Sequence, residues 1–178
     1  MGLFNKARHK SPWIVHYDCT SCNGCDIEVL AALTPIYDAE RFGVINIGNP
    51  KHADVLVVTG SVNHRNVRVL RNIYMQMPSP KAVLAVGACA CTGGIFAEAY
   101  NVLGGIDKAI PVDVYLPGCS VRPEAVLDGV LKAASFLTDA DAQKRHAEFS
   151  KTLEKEQPQE LLEEEEQPLT ERQEEKHD

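Results

Sequence analysis

The sequence predicts an α/β protein built on a doubly wound, flavodoxin-like parallel sheet with helices on both faces, followed by an acidic C-terminal extension. Three observations predict it. Strand-like and helix-like segments alternate across residues 12–138, the pattern of parallel α/β sheets. Two strand candidates, 54-DVLVVTG-60 and 82-AVLAVG-87, are nearly continuous apolar runs closed by glycine, as expected of strands covered on both faces. Residues from Asp139 onward shift to 6 basic and 14 acidic side chains, net −8, which leaves +1 for residues 1–138 of a chain whose total is −7.

The elements follow in order. The first strand is 13-WIVHY-17, and a helix over 25–34 ends before Pro35. Strands at 43-GVINI-47 and 54–60 precede a helix over 64–77. The strand 82–87 leads to a helix over 94–101, and the strand 112-VDVYLPG-118 to a helix over 123–137. This last helix begins at Pro123, where a missing amide donor does no harm. No internal repeat is evident.

Three regions result: a basic N-terminal segment (1–11), the α/β domain (12–138) and the acidic tail (139–178). Blocks of like charge repel and bury little, so the tail is expected to be disordered or to wrap a partner, anchored by Phe149, Leu153, Leu161 and Leu162.

No run of eighteen apolar residues occurs, so no bilayer span is expected. The N-terminus 1-MGLFNKARHKSPW-13 lacks the apolar core and cleavage site of a secretory signal. A cytoplasmic setting keeps thiols reduced, so six cysteines point to metal or redox chemistry rather than disulfides. There is no phosphate loop, nucleophile elbow or nucleic-acid motif, and a nearly neutral domain argues against a DNA footprint.

The cysteines fall at strand ends. Cys19, Cys22 and Cys25 follow the first strand, Cys89 and Cys91 the fourth, and Cys119 the fifth. Ligands bind at the carboxyl edge of such sheets because the strand-to-helix loops converge there. All-thiolate coordination suits zinc or an iron–sulfur cluster. Structural zinc prefers two tight local ligand pairs, whereas here one tight group is joined by single cysteines far along the chain. That spacing favours a cluster, with a zinc-stabilised interaction module and unligated core thiols as the other readings. The glycines of 87-GACACTGG-94 and 117-PGC-119 let backbone approach a bulky cofactor and aim amides at its sulfurs.

Several longer motifs point further: 22-CNGCDIEVLA-31, 35-PIYDAERFGV-44, 52-HADVLVVTG-60, 87-GACACTGGIF-96 and 112-VDVYLPGCSVRPEA-125. Across residues 12–135 the chain resembles the small subunit of membrane-associated, energy-converting [NiFe]-hydrogenases of the formate hydrogenlyase and Ech types. That family is homologous to the cluster-bearing 20 kDa subunit of respiratory complex I. The resemblance implies one [4Fe–4S] cluster held by Cys22, Cys25, Cys89 and Cys119, leaving Cys19 and Cys91 surplus. It implies electron transfer from ferredoxin-type clusters to a Ni–Fe centre in a partner large subunit, where protons are reduced reversibly to H2. It further implies coupling to ion translocation by membrane subunits, with the chain peripheral on the cytoplasmic side of the membrane. The alternative is the equivalent subunit of a complex I-like quinone oxidoreductase, whose members carry two adjacent cysteines where this chain has Cys-Asn-Gly-Cys.

Other polar residues have plainer expectations. Asp26 suits the first turn of a helix for dipole reasons, and Glu28 is expected at the large-subunit interface, in proton traffic. His16 is expected to be a satisfied core or interface histidine rather than a ligand. Arg65, Arg68 and Arg71 form a solvated face or dock against an acidic partner.

Overall fold

In this computed structural model the backbone is described for residues 3–166 and the side chains for residues 7–155. The side chains of Leu3, Phe4 and Lys6, those of Leu161 and Leu162, and residues 167–178 lie outside the described residues.

A short helix α1 (Leu3–Lys10) leads into β1 (Trp13–Asp18), and the helix α2 (Gly24–Ala32) follows. Then come β2 (Ile45–Asn46), β3 (Val55–Thr59), β4 (Val62–Asn63) and α3 (Asn66–Gln76). β5 (Ala82–Val86) runs into α4 (Ala88–Thr92), then β6 (Val102–Gly104) and β7 (Val114–Leu116). The chain closes with α5 (Pro123–Phe136) and α6 (Ala140–Glu166).

Five strands form one parallel sheet in the order β2-β1-β3-β5-β7. Counted within the sheet this is 2-1-3-4-5, the flavodoxin-like order, with its switch point between β1 and β3. β4 and β6 pair antiparallel beside it.

Alternation along the central strands assigns two cores. Val55 and Val57 of β3 and Leu84 and Val86 of β5 face one side, where Val29 of α2 and Val126 and Val130 of α5 cover them. Leu56, Val58, Val83 and Ala85 face the other, against Leu70 and Tyr74 of α3 and Ile106 and Ile110. β3 and β5 are buried along their whole length, which is why they read as unbroken apolar runs. Each such Val or Leu contributes roughly 1.5–3 kcal/mol on burial.

Two expectations are corrected. The helix expected over 94–101 is absent: the helical turn lies upstream, at α4, and a 3-10 turn at Gly94–Phe96 follows. Gly93 (φ 90) and Gly94 (φ 55) take left-handed conformations that end the helix. The strand expected over 43–47 shrinks to Ile45–Asn46, because Gly43 (φ 81) is a left-handed turn residue ending the preceding 3-10 helix.

From Ala140 the acidic segment forms α6, whose inner stripe packs on this same domain. Ala142, His146 and Leu153 are buried, and Phe149 meets Tyr74 edge-on with ring centroids 5.9 Å apart. The first four turns of the segment are thus ordered against the second core.

Candidate functional site

The thiols sit where three strands end. Cys19, Cys22 and Cys25 occupy the loop after β1 and the first turn of α2. Cys89 and Cys91 lie in α4 after β5, and Cys119 lies in the loop after β7. Two backbone bonds draw the last two groups together: Gly87 N–H donates to Leu116 O and Ala88 N–H to Gly118 O, both at 2.8 Å. The convergence expected at the carboxyl edge of the sheet is therefore built by neighbouring strands and their first loop residues.

Cys22 and Cys119 are exposed, and Cys25 and Cys89 half-buried. Burial raises the pKa of the Cys25 thiol; a hydrogen bond from the Val121 amide works against this, and Asp26, Cys89 and Cys22 add to the rise. Burial likewise raises Cys89, reinforced by Cys119 and Cys22. Cys89 thus lies in the field of Cys119 and Cys22, and Cys25 in that of Cys89 and Cys22. Four thiolates at one mouth would repel, and a bound metal centre would offset that repulsion.

Glycines keep the mouth open. A Cβ on Gly87 (φ 93) would lie 2.5 Å from Cys25 Sγ, and one on Gly94 would lie 3.1 Å from Cys89 Sγ. Among the described residues, no three His, Cys, Asp or Glu side chains close on a point that suits a single ion. A lone zinc requires thiolates at about 2.3 Å from one centre, whereas a cluster spreads four thiolates over separate irons. An all-cysteine donor set beside a glycine-lined opening fits a thiolate-bound metal centre.

The remaining thiols differ. Cys19 is buried, and burial, with help from Asp18, pushes its pKa up to about 12. Cys91 turns toward the sheet, its Sγ 4.0 Å from Ala85 O, and burial raises its pKa despite an amide bond from Leu116.

Asp26 does more than sit in a first helical turn. It is buried, accepts from Thr59 Oγ1 at 2.5 Å and from the Ser21 hydroxyl, and lies 3.0 Å from His16 Nε2. His16 also lies 3.2 Å from Thr59 Oγ1, so its partners are protein groups. Nothing in the sequence singled out Ser21 or Thr59, because hydroxyls at a strand end carry no spacing signal. Glu28 is half-buried and accepts from Ser120 Oγ at 3.4 Å, beside Cys119. Arg65 and Arg68 are exposed, while Arg71 is half-buried and its Nε donates to Ala109 O at 3.4 Å.

Several apolar side chains lack cover from this chain, among them Ile27, two residues after Cys25, and Ile95, next to Gly94. Ile27, Leu30, Ile36, Ile95, Phe96 and Tyr100 are exposed, Ile95 by 90% and Tyr100 by 100%.

Residues 22–133 match the family described as the 20 Kd subunit of NADH ubiquinone oxidoreductase. The chain belongs to this family. It is accordingly a subunit of the oxidoreductase-complex type. It is 52% identical to the probable membrane-bound hydrogenase subunit mbhJ of Pyrococcus furiosus, covering 72% of this chain and 77% of that protein. It is 43% identical to formate hydrogenlyase subunit 7 of Escherichia coli over 86% of this chain, which spans 58% of that relative's length. It is 45% identical to an NADH-quinone oxidoreductase subunit of Geotalea daltonii, covering 74% of this chain and 75% of that protein.

Among solved structures, a chain of the archaeal membrane-bound sulfane sulfur reductase complex superposes with a TM-score of 0.68 at 43% identity, covering 79% of this chain and 77% of that one. A chain of an NAD+-reducing [NiFe]-hydrogenase, at 23% identity and TM-score 0.53, covers 68% of this chain and 92% of that one and shows the shared fold. No described helix is long and apolar enough to cross a membrane.

Proposed function

We propose that this chain is the electron-transfer subunit of an energy-converting [NiFe]-hydrogenase. In this reading Cys22, Cys25, Cys89 and Cys119 hold one [4Fe–4S] cluster. The observation that carries it is the meeting of these four thiols at one glycine-lined mouth. The hydrogenase direction is supported by the 52% identity to a probable membrane-bound hydrogenase subunit.

When bound, such a cluster supplies a one-electron relay between ferredoxin-type clusters on one partner and a Ni–Fe site in the large subunit. This chain's own residues hold and tune it. The four cysteine sulfurs are the ligands. The Val121 amide donates to the Cys25 sulfur, stabilising negative charge there. Gly87 and Gly94 leave room for the sulfurs of Cys25 and Cys89, on which a Cβ at either position would press. The apolar rim at Ile95, Phe96 and Tyr100 excludes water once a partner covers it, which shortens and insulates the electron path. In this reading Glu28, which accepts from Ser120 Oγ beside Cys119, exchanges protons with the large subunit. The chain itself sits peripherally against membrane subunits that translocate ions.

A second reading, the matching subunit of a quinone-reducing complex, is favoured by the 45% identity to the Geotalea daltonii NADH-quinone oxidoreductase subunit. One experiment separates them. The tagged chain is purified anaerobically with its partners and analysed for iron, acid-labile sulfide, nickel and zinc. Four irons and four sulfides per chain, with nickel in the copurifying large subunit, support the hydrogenase reading. Cluster iron without nickel transfers support to quinone reduction, and stoichiometric zinc in this chain overturns both.

A further inference from the structure

We propose that Asp26 is a buried fixed negative charge that lowers the reduction potential of the cluster held by the neighbouring thiols and also locks the loop that presents two of them. The inference rests on the cluster reading above and names a determinant of potential within it. Asp26 follows Cys25 directly, and its charge is felt at the Cys25 sulfur. Its carboxylate points down into the sheet edge, where three groups from separate segments converge on it. The Thr59 hydroxyl at the end of β3 and the Ser21 hydroxyl of the thiol loop both donate to it. Nε2 of His16 on β1 lies 3.0 Å from the same oxygen that Thr59 reaches. Ser21 in turn accepts from Asn23 N–H at 2.9 Å, and its own amide donates to Asp18 Oδ1 at 2.7 Å. Asn23 holds a left-handed conformation (φ 66) at the start of α2. This carboxylate thus ties the stretch before Cys25 to β1 and β3, alongside the bonds of Thr20 to Ser61 O and of Asn66 to Cys19 O.

The electrostatic consequence has a definite sign. Reduction adds one electron to the cluster, and a nearby anion disfavours that addition. Net charge and hydrogen bonding are the protein's levers on cluster potential. Unlike a surface charge, this one is poorly screened, since it is buried and fixed in place.

Asp26→Asn removes the charge and keeps the shape. Its amide oxygen still accepts from Thr59, while its NH2 group donates to Ser21 Oγ, which rotates its hydroxyl away. The test uses the complete complex, purified anaerobically and poised across a potential series, with the cluster read by electron paramagnetic resonance. In Asp26→Asn the midpoint moves upward, so that at the wild-type midpoint the reduced-to-oxidised ratio rises by about tenfold, ~59 mV for a one-electron couple. Thr59→Val strips one donor from the carboxylate, leaves its charge less dispersed, and moves the midpoint the opposite way.

Unchanged midpoints in both variants, with normal cluster content, overturn the inference. An upward shift in both marks loop disturbance and overturns it as well. If Asp26→Asn assembles without a cluster, the Thr59→Val midpoint decides: a downward shift supports the charge effect and no shift overturns it. Absence of iron and sulfide from the wild-type complex sinks the cluster reading itself, and this inference with it.

Discussion

The imidazole of His146 lies 2.8 Å from the carboxylate of Asp113, joining α6 to the segment that enters β7. The other ring nitrogen is 2.8 Å from Tyr74 Oη on α3, and Arg145 reaches the second Asp113 oxygen at 3.0 Å. Val83 N–H donates to the same carboxylate at 2.9 Å. The side chains of His146 and Asp113 are both buried, so removing the imidazole leaves the carboxylate with only Val83 and Arg145. His146→Leu should cost about 3 kcal/mol, the penalty for a buried charged acceptor left short of a partner. That corresponds to a melting temperature roughly 6–12 °C lower in a chain of this size. Adding Asp113→Asn to His146→Leu should cost less than the two single effects combined, because the pair shares one interaction. Additive effects in thermal unfolding would contradict this coupling.

The thiol assignment predicts an asymmetric mutation series. Cys22→Ser, Cys25→Ser, Cys89→Ser and Cys119→Ser should each lose the cluster or leave a damaged form, since every one removes a ligand. Cys19→Ser and Cys91→Ser should keep full iron and sulfide content. Cys91 is the sharper control, because it lies two residues from Cys89 yet turns toward Ala85 O. A Cys91→Ser variant as iron-poor as Cys89→Ser would overturn the assignment.

Thiol chemistry in the cluster-free protein gives an independent check. The thiolate is the reactive form, so burial and a raised pKa both slow alkylation. At pH 8, Cys22 and Cys119 should label fastest with iodoacetamide, being exposed. Cys25 and Cys89 should follow. Cys19, buried and with its pKa pushed up to about 12, should remain unlabelled until the protein unfolds. Mass spectrometry of tryptic peptides over a time course reads the order, and early labelling of Cys19 would contradict the burial.

Much of this architecture was legible in the sequence because its determinants are local. Val55–Thr59 and Ala82–Val86 announce themselves as apolar runs, and Pro123 marks the first turn of α5. The cysteines could be assigned to strand ends since only strand order, not packing, was needed. The position of α4 was not legible. Ala-Cys-Ala-Cys-Thr has no periodic apolar stripe, and Gly93 and Gly94 are read equally well as a helix start or a helix stop. Asp26 was legible as a helix-start acid but not as a buried node, because its partners His16, Ser21 and Thr59 come from three separate stretches. Phe149 and Leu153 of the inner stripe of α6 were legible as anchors, but not that they pack on this same domain, because a buried histidine stands where a further apolar residue would have marked the face.

Lys81 predicts a pH dependence. Its ammonium group donates to Tyr74 O at 2.8 Å and Met77 O at 3.4 Å, at the end of α3, and lies 3.8 Å from the centre of the Tyr74 ring. Burial lowers its pKa to about 8, against the opposing pull of the Glu154 charge. The folded pKa lies below the unfolded value of 10.5, so between those pH values the unfolded chain binds more protons. Stability from this group therefore rises as pH climbs through that window. Other groups, Cys19 among them, act in the reverse direction, so the comparison is a difference. Relative to Lys81→Met, wild type should gain stability from pH 8 to 10.5 in urea denaturation. A constant difference across that range would show that the ammonium group is not desolvated in the fold.

The uncovered rim of the thiol mouth predicts dependence on a partner. Ile27 is 64% exposed, Ile36 86%, Ile95 90% and Tyr100 100%. Ile27 sits two residues after Cys25 in the first turn of α2, and Ile95 follows Gly94, which packs on Cys89, so these two stand beside the thiols, while Ile36 lies beyond the far end of α2. Scattered exposed apolar residues are ordinary; several grouped around a binding site mark an interaction surface. Aromatic and aliphatic anchors in such a surface often cost more than 2 kcal/mol on truncation. The chain expressed alone should therefore aggregate, and coexpression with the large subunit should restore soluble protein. Ile95→Ser together with Tyr100→Ser should improve the behaviour of the isolated chain while weakening recovery of the complex at least thirtyfold, about 2 kcal/mol. Both substitutions fall on exposed side chains, so the fold should survive, with unchanged far-ultraviolet circular dichroism and melting temperature. Wild-type protein that stays monomeric and cluster-replete when made alone, or a double variant that copurifies its partner undiminished, would remove this rim from the interface.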